Sequence, residues 1–238
     1  MNDTLFIITA RGGSKGIAGK NIKPLSGKPL LAYTTATALA SSLLNDVIVS
    51  TDSEEIGQVA RSNGINMVID RPEALATDTA SKWPVFIHAA EQYEELKGVC
   101  VDYLVDMDVT VPLKTTADID GAIQTALANP AADVIITAYE PERNPYFNMM
   151  EIGGNGFASI VKAQPQPVVR RQDAPAVYSL CPAAYVIKRA ALYAYDHWSK
   201  AKCMLYVIPR SHAVDIDTAF DFQLVEFLMQ YEHGQPAF

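Results

Sequence analysis

The sequence predicts an α/β fold built on a doubly wound, mostly parallel sheet. Short apolar runs of the kind that form buried parallel strands alternate with stretches that have the length and pattern of helices. The first apolar run passes directly into a glycine-rich loop, which is typical of a strand–loop–helix unit. The chain has 238 residues, 49% of them hydrophobic, which is enough for one large domain with a full core.

The elements of this sheet can be assigned in order along the chain. The apolar runs are predicted as strands at 5–10, 47–50, 67–70, 103–108 and 134–138. The stretches between them are predicted as helices at 30–42, 53–63, 81–97 and 117–129. Ser53, followed by two glutamates, is a typical helix start, because acidic side chains favour the positive end of the helix dipole. Asn63 before Gly64 and Asn129 before Pro130 indicate helix ends.

The pattern changes after residue 138. The segment 140–182 is rich in proline, glycine and arginine, and it is predicted to be an insertion that projects from the sheet. Within it, 149–152 and 157–161 are predicted to form a hairpin. Two returning strands and a final amphipathic helix are predicted at 186–187, 205–208 and 218–232. The chain is therefore expected to be a single domain over residues 1–238 with an insertion at about 140–182.

The composition argues against several classes of protein. A formal net charge of −8 is unfavourable for broad nucleic-acid binding, which needs an extended basic face. No apolar stretch approaches the ~20 residues that span a bilayer, and the apolar start is too short for a signal peptide. The cysteines Cys100, Cys181 and Cys203 are widely spaced and odd in number, which is typical of reduced thiols. We therefore expect a cytoplasmic protein without a nucleic-acid or membrane partner.

The loop at residues 11–28 reverses the sign of the overall charge. It contains four glycines before Asn21, no acidic residue, and the basic residues Arg11, Lys15, Lys20, Lys23 and Lys28. A loop of this composition between a strand and a helix is suited to holding phosphates. It matches neither the Walker A spacing nor the G-x-G-x-x-G fingerprint, which argues against an NAD-dependent oxidoreductase. The alternative interpretation is a surface turn with solvated lysines.

A second charged motif, Asp215-Ile-Asp217 followed by Asp221, lies near the end of the chain. In extended backbone, residues two apart face the same side, so the first two carboxylates would converge. Two negative charges in such close proximity are energetically costly unless a cation neutralises them. Mg²⁺ is a suitable cation, because it favours one or two carboxylates together with substrate phosphates. The motif therefore predicts a Mg²⁺ site. The alternative is an exposed acidic turn in which Asp217 caps the final helix.

Two weaker motifs carry less information. The segment from Arg71 to Ser81 follows a predicted strand end, where ligand loops belong. Its alternative is an ordinary loop with a helix cap at Thr79 or Ser81. The pair Arg170 and Arg171 in the insertion is either a ligand contact or a solvated pair of arginines.

Six motifs resemble those of a known family and occur in the same order as they do there. They are A-R-G-G-S-K-G-I-A-G-K-N (10–21), V-S-T-D-S (49–53), R-P-E-A-L-A-T-D-T-A-S (71–81), P-L-K-T-T-A-D-I (112–119), R-R-Q-D-A-P (170–175) and D-I-D-T (215–218). Together they resemble the acylneuraminate cytidylyltransferases, also called CMP-sialic acid synthetases. The resemblance covers nearly the whole chain. It implies a Rossmann-like doubly wound fold of the nucleotide-diphospho-sugar transferase type, in which the insertion pairs two subunits into a homodimer.

The resemblance also implies an activity and a set of site residues. The implied reaction transfers CMP from CTP to the anomeric hydroxyl of a nonulosonic acid, a nine-carbon keto-deoxy sugar acid, and releases pyrophosphate with the help of Mg²⁺. The implied catalytic residues are Arg11, Lys20 and Asp217, and the implied metal ligands are Asp215 and Asp217. The implied nucleotide-binding residues are Ala10, Arg11, Gly12, Gly13, Lys20, Asn21, Arg71 and Ser81. The implied sugar-binding residues are Asp108, Arg171 and Tyr185.

The departures from the family pattern fall on the sugar side. M-D-V-T-V-P-L-K (107–114) stands where the family has Leu-Gln-Pro-Thr-Ser-Pro-Leu-Arg, so that Asp108 replaces a glutamine near the sugar. C-P-A-A-Y (181–185) stands where Asn-Gly-Ala-Ile-Tyr is usual. Asp108 and E-R-N-P-Y-F-N (142–148) are more similar to the branch that acts on legionaminic acid. The open alternatives are pseudaminic acid or KDO as the acceptor, or a CTP-binding family member without catalysis.

Overall fold

The computed structural model describes residues 3–14 and 16–234; Lys15 of the basic loop lies outside the described residues. The strands in these ranges are β1 (Thr4–Thr9), β2 (Pro24–Leu25), β3 (Lys28–Pro29), β4 (Asp46–Thr51), β5 (Met67–Asp70), β6 (Tyr103–Asp106), β7 (Val134–Tyr139), β8 (Met150–Ile152), β9 (Ala158–Ile160), β10 (Ser179–Lys188) and β11 (Cys203–Val207). The α-helices are α1 (Leu30–Leu39), α2 (Glu54–Ser62), α3 (Lys82–Lys97), α4 (Thr116–Ala128), α5 (Arg189–Ala194) and α6 (Ala219–Gly234).

Seven of the strands form one sheet in the order β11-β7-β10-β6-β1-β4-β5. β10 runs antiparallel to β6 and β7, and the other pairings are parallel, so the predicted mostly parallel α/β sheet is confirmed. The chain runs from β1 to β4 and β5 on one side and then crosses to β6 on the other side of β1. Ligands of open α/β sheets bind where the strand order reverses in this way, at the carboxyl ends of the strands. The fold therefore predicts a ligand-binding site at the loops that follow β1 and β6.

The helices cover both faces of the sheet because alternate side chains of the strands point to opposite sides. Phe6 and Ile8 of β1 belong to a core cluster with residues of α1, α2, α4 and α6. Leu5 and Ile7 belong to a second cluster with residues of α3 and α5. Burial on both faces explains why β1 is an almost uninterrupted apolar run.

Local signals place the helix ends close to the predicted positions. Ser53 caps α2, and its side chain accepts a hydrogen bond from the Ile56 backbone N–H. Ser81 caps α3 in the same way, and Gly98, with φ of 66°, ends that helix in the left-handed region that favours glycine. Thr115 starts α4 with a capping box. These ends depend on single side chains, which is why the sequence predicts them well.

β10 is much longer than the two residues predicted for it. It begins at Ser179, so its first residues fall inside the 140–182 segment assigned to the insertion. Its register against β7 shifts between Leu180 and Tyr185. Pro182 lies in this irregular stretch. Because proline has no N–H donor and is unusual inside a sheet, its presence argues against a strand in the sequence. The irregularity brings the Pro182 carbonyl within 3.2 Å of the Asp108 backbone N–H.

The insertion carries the predicted hairpin, formed by β8 and β9. Ile152 and Phe157 at this hairpin are 78% and 77% exposed, which leaves an apolar surface on the insertion. None of the helices in the described ranges combines the length and apolar character needed to cross a membrane.

Candidate active site

The basic loop after β1 and the Asp215–Asp217 segment lie against each other. Lys20 Nζ donates a hydrogen bond of 2.6 Å to the Ile216 carbonyl and lies 3.5 Å from Asp217 Oδ1. Gly16 approaches the Asp217 carbonyl so closely that a Cβ at this position would lie 2.5 Å from the oxygen. Only glycine permits this contact between the two backbones. Lys20 of the first loop and Asp217 of the last segment thus meet in one place, although the sequence separates them widely.

Arg11 ties the basic loop to the 71–81 loop. Its guanidinium donates to the Thr77 carbonyl at 2.7 Å and lies 3.0 Å from Asp78 Oδ1. The buried Asn21 side chain donates to the Arg11 carbonyl at 2.9 Å and so holds the loop from within. The two loops therefore form a single wall with Arg11 at their contact.

Arg71 lies beneath this wall. Its guanidinium is buried and donates to the Ser50 carbonyl at 2.6 Å and to Ser50 Oγ at 3.2 Å. Burial lowers the pKa of Arg71, while the nearby carboxylates of Asp52 and Asp106 oppose that shift. Asp52 also accepts a hydrogen bond from the Gly12 backbone N–H at 2.8 Å. Arg71, which follows β5 and donates to Ser50 of β4, therefore adds a buried positive charge to the site.

These residues surround a cleft of about 380 Å³ over the carboxyl ends of β1 and β6. The volume is in the range of small-molecule sites. Of the predicted site residues, those that line it are Arg11, Lys20, Asn21, Arg71, Asp108 and Asp217. Ala10, Gly12 and Gly13 form the backbone between lining residues of the loop. The structure thus brings most of the predicted nucleotide-side residues together.

A second cavity, of about 310 Å³, adjoins the cleft. Its lining residues are Ser81, Lys82, Trp83, Phe86, Asp108, Pro182, Tyr185, His197 and Trp198. Lys82 and Asp108 line both spaces. Ser81, predicted on the nucleotide side, borders this second cavity. Burial raises the pKa of Tyr185 to about 12, so its phenol is neutral at physiological pH.

Lys82, which sequence reasoning missed, bridges two aspartates at this border. Its Nζ lies 3.1 Å from Asp106 Oδ2 and 2.6 Å from Asp108 Oδ2. Burial alone would lower the pKa of Lys82, but the two carboxylates raise it well above its ordinary value. The fully buried Asp106 also accepts from Thr9 Oγ1 at 3.2 Å. The sequence does contain a signal for such a cation: Asp106 and Asp108 lie two residues apart at the end of a strand. Their carboxylates therefore face the same side and need a positive charge between them.

Lys114 is a second cation that sequence reasoning missed. It is buried and donates to the carbonyls of Asp108 and Val111 at 2.6 and 2.9 Å and to Thr34 Oγ1 at 2.7 Å. Burial lowers the pKa of Lys114 to about 8, against the opposing effect of the Asp108 carboxylate. It stands where the family has arginine, and its three hydrogen bonds hold the loop that carries Asp108.

Asp215 and Asp217 have different surroundings. Asp215 is half-buried, and its Oδ1 has no hydrogen-bond partner among the described residues. Burial raises the pKa of Asp215 to about 6, although a hydrogen bond between Thr110 and the carboxyl group opposes this. Asp217 has a side chain that is 76% exposed. In the part of the chain that the structure describes, no group of three or more His, Cys, Asp or Glu side chains is arranged to hold a metal.

The cap of the last helix does not use the Asp217 carboxylate. Asp221 Oδ2 accepts from the backbone N–H groups of Asp217 and Thr218 at 3.1 and 2.7 Å, and the Asp221 N–H donates to Thr218 Oγ1. The alternative interpretation, in which Asp217 caps the helix, is therefore wrong. The Asp217 carboxylate instead faces Lys20 at the cleft.

Arg171 lies apart from both cavities within this single chain. It is exposed, donates to the Pro141 carbonyl at 3.1 Å and lines a separate depression of the insertion. The structure therefore does not bring it to Asp108 and Tyr185, the other predicted sugar-side residues.

The chain is similar to known proteins over nearly its whole length. The model of the cytidylyltransferase family matches residues 5–233. The chain is 36% identical over 235 residues to the post-translational flagellin modification protein B of Campylobacter coli, covering 99% of this chain and 98% of that protein. It is also 36% identical over 236 residues to the CMP-N,N'-diacetyllegionaminic acid synthase of Campylobacter jejuni, covering 99% of each.

A solved structure of a CMP:2-keto-3-deoxy-manno-octonic acid synthetase complexed with CTP superposes with a TM-score of 0.71, at 18% identity, over 97% of this chain and 100% of that one. At this identity the likeness concerns the fold alone, and it agrees with the sheet described above. The family predicted from the six motifs is confirmed by the match over nearly the whole length: this chain belongs to the cytidylyltransferase family of nucleotidyltransferase enzymes.

Proposed function

We propose that the protein transfers CMP from CTP to the anomeric hydroxyl of a nonulosonic acid of the legionaminic acid type and releases pyrophosphate. The observation that carries this proposal is the meeting of Lys20 with Asp217 at a cleft that adjoins a second cavity. One space suits a nucleotide triphosphate and the other suits an acceptor. The identity of 36% to a protein named CMP-N,N'-diacetyllegionaminic acid synthase supports the acceptor class.

The residues of the cleft suit in-line phosphoryl transfer. The anomeric oxygen attacks the α-phosphorus and forms the new P–O bond. The bond from that phosphorus to the bridging oxygen of pyrophosphate breaks, and the hydroxyl proton is released. Such transfer depends mainly on positioning and on neutralisation of charge. Arg11 and Lys20 line the cleft and would stabilise the negative charge of the departing pyrophosphate, while Arg71 adds positive charge beneath it.

Asp215 and Asp217 fit a Mg²⁺ ion. Asp215 Oδ1 is a buried carboxylate oxygen that has no partner among the residues described, and such an oxygen is costly unless a cation satisfies it. Carboxylates are the hard ligands that Mg²⁺ prefers, and this metal commonly completes its coordination with water and substrate phosphates. When bound, Mg²⁺ would neutralise charge on the triphosphate. Lys20, 3.5 Å from Asp217 Oδ1, holds the Asp217 carboxylate at the edge of the cleft.

Replacing Asp215 by asparagine is expected to stabilise the protein in the absence of metal. The change removes a half-buried charge that faces Asp108 and Asp217, so the melting temperature should rise by roughly 2–4 °C, the effect of about 1 kcal/mol in a chain of this size. Thermal unfolding with and without Mg²⁺ and CTP is the measurement. The wild type should gain stability from Mg²⁺ and the variant should not. An undiminished response of Asp215→Asn to Mg²⁺ would contradict the metal assignment, and Asp196→Asn, at an exposed site, is the control.

The acceptor is tested by pyrophosphate release from CTP and Mg²⁺ with a panel of sugar acids. N,N'-diacetyllegionaminic acid is expected to be used best, ahead of N-acetylneuraminic acid, pseudaminic acid and KDO, and UTP should not replace CTP. Preference for pseudaminic acid or KDO would overturn the acceptor assignment. CTP binding by calorimetry without turnover on any of these acids would indicate a binding protein; the paired aspartates argue against that outcome, because binding alone has less need of them.

We further propose that the protein is a homodimer paired through the insertion at about 140–182 of its single domain. Exposed apolar residues on the insertion, including Ile152, Phe157 and Val169, support this. Arg171 would then face the sugar site of the partner. Light scattering should give twice the monomer mass of 25.9 kDa, and a monomer at micromolar concentration would contradict the proposal. The cytoplasmic location stays a prediction from the cysteine pattern.

A further inference from the structure

The cleft and the second cavity meet at Lys82 and Asp108. The cations that line the cleft in the described ranges are Arg11, Lys20, Arg71 and Lys82. Of these, Lys82 is the one that also lines the second cavity. Its side chain is 44% exposed and lines both spaces, while its ammonium is held by two aspartates. This is the border across which a nucleotide and an acceptor must react.

The proposed reaction places an anion at the same border. In a 2-keto-3-deoxy sugar acid, the carboxylate is bonded to the anomeric carbon that also carries the attacking hydroxyl. When that hydroxyl faces the α-phosphate in the cleft, the carboxylate must lie within a few bond lengths of the border. A carboxylate that leaves water needs a cation or hydrogen-bond donors there.

We infer that Lys82 binds the carboxylate of the sugar acid and so selects acidic acceptors, an inference that rests on the function proposed above. A lysine ammonium has three N–H donors. Two of them are directed to Asp106 and Asp108. Among the described residues no partner takes the third donor, which leaves it for a ligand in the cavities, and the two hydrogen bonds hold the ammonium in place for that ligand.

The two aspartates do not repel such a ligand, because their charges are compensated. Asp108 accepts from Lys82 with Oδ2 and from the Thr110 N–H with Oδ1, so both of its oxygens are engaged. Asp106 is fully buried beneath Lys82 and is therefore a positioning residue for the ammonium. Lys114, which donates to the Asp108 backbone carbonyl, adds a second positive charge near the Asp108 carboxylate. An approaching carboxylate thus meets the ammonium of Lys82.

The other candidate cations are less well placed for this task. Arg171 lies on the insertion, where it donates to the Pro141 carbonyl, and lines neither cavity of its own chain. Lys20 is directed to the Ile216 carbonyl and Asp217, on the nucleotide side. Lys82 therefore supplies from within one chain the charge that the acceptor needs.

The test compares the sugar acid with its uncharged carboxamide in the wild type and in Lys82→Met, at saturating CTP and Mg²⁺. The wild type is expected to prefer the acid in kcat/KM by about 10-fold to 100-fold, the usual range for one charged hydrogen bond. In Lys82→Met this preference should fall below about threefold, through a higher KM for the acid, with the KM for CTP nearly unchanged. Lys82→Arg should retain most of the preference, because it keeps the charge.

A double variant distinguishes a loss of acid preference from a loss of the fold. Lys82→Met alone leaves Asp106 buried without its cation, which is destabilising. Lys82→Met with Asp106→Asn removes both charges, and calorimetry should show that it still binds CTP. Loss of the acid preference in this double variant supports the inference.

The role of Lys82 is overturned, and the proposed function is not, if Lys82→Met or the double variant keeps an undiminished preference for the acid. The same holds if the KM for CTP rises instead of the KM for the sugar acid. Failure of the wild type to turn over any nonulosonic acid overturns the proposed function together with this inference.

Discussion

Asp217→Asn is expected to lower turnover by about 10²-fold or more, on the scale of losing a key electrostatic group, and to leave the fold intact. The change is isosteric and removes one negative charge. The side chain is 76% exposed, so its loss should shift the free energy of unfolding by no more than about 0.5 kcal/mol. The backbone contacts of Asp217 with Asp221 and with Gly16 do not involve the carboxylate and are retained.

The measurement is pyrophosphate release with CTP, the acceptor and a titration of Mg²⁺. The variant should also need more Mg²⁺ to reach its residual rate, since one proposed ligand is lost. Asp196→Asn makes the same chemical change at an exposed position and should behave as the wild type. Near-normal turnover of Asp217→Asn at low Mg²⁺ would remove the proposed role of this carboxylate.

Lys20→Ala is expected to lower kcat/KM for CTP by about 10-fold to 100-fold, because it deletes a charged donor at the proposed triphosphate site. The KM for the sugar acid should change by less than about threefold, since Lys20 does not line the second cavity. The variant also loses the hydrogen bond to the Ile216 carbonyl, which joins the basic loop to the aspartate segment. We therefore expect kcat to fall together with the affinity for CTP.

Lys28→Ala is the matched control, since Lys28 belongs to the same basic stretch but lies in β3, outside the residues that line the cleft. Steady-state kinetics with each substrate varied in turn would separate the two effects. If Lys20→Ala responded to CTP as the wild type does, the basic loop would not be the triphosphate site. Equal losses in Lys20→Ala and Lys28→Ala would point instead to a general effect of net charge.

The secondary structure and the charged loops could be predicted because their signals are local. The Ser53 cap depends on a side chain within one turn of the N–H that it satisfies. The two-sided burial of β1 appears directly as an apolar run. The first part of β10 escaped prediction because the regular pattern is broken around Pro182, and only pairing with β7 shows that the strand includes Ser179 and Leu180.

The border between the two cavities could not be predicted for a different reason. Lys82 is separated from Asp106 by 24 positions, and Lys114 is separated from Thr34 by 80. Each of these residues has an ordinary local sequence, and a lysine paired with distant groups is recognised only when its partners are known. Ser81 was predicted for the nucleotide but borders the second cavity, because it caps the helix whose first residue is Lys82.

The sequence by itself determined the alternation of strands and helices, the basic glycine-rich loop, the paired aspartates and, through six ordered motifs, the family. The tertiary structure alone decided which charges meet, as with Lys20 and the Ile216 carbonyl, which are 196 positions apart. Periodicity and capping act over a few residues of chain and are visible in the sequence. Hydrogen bonds and ion pairs act over a few ångströms of space, so the chemistry of the site is set only when the sheet brings its loops together.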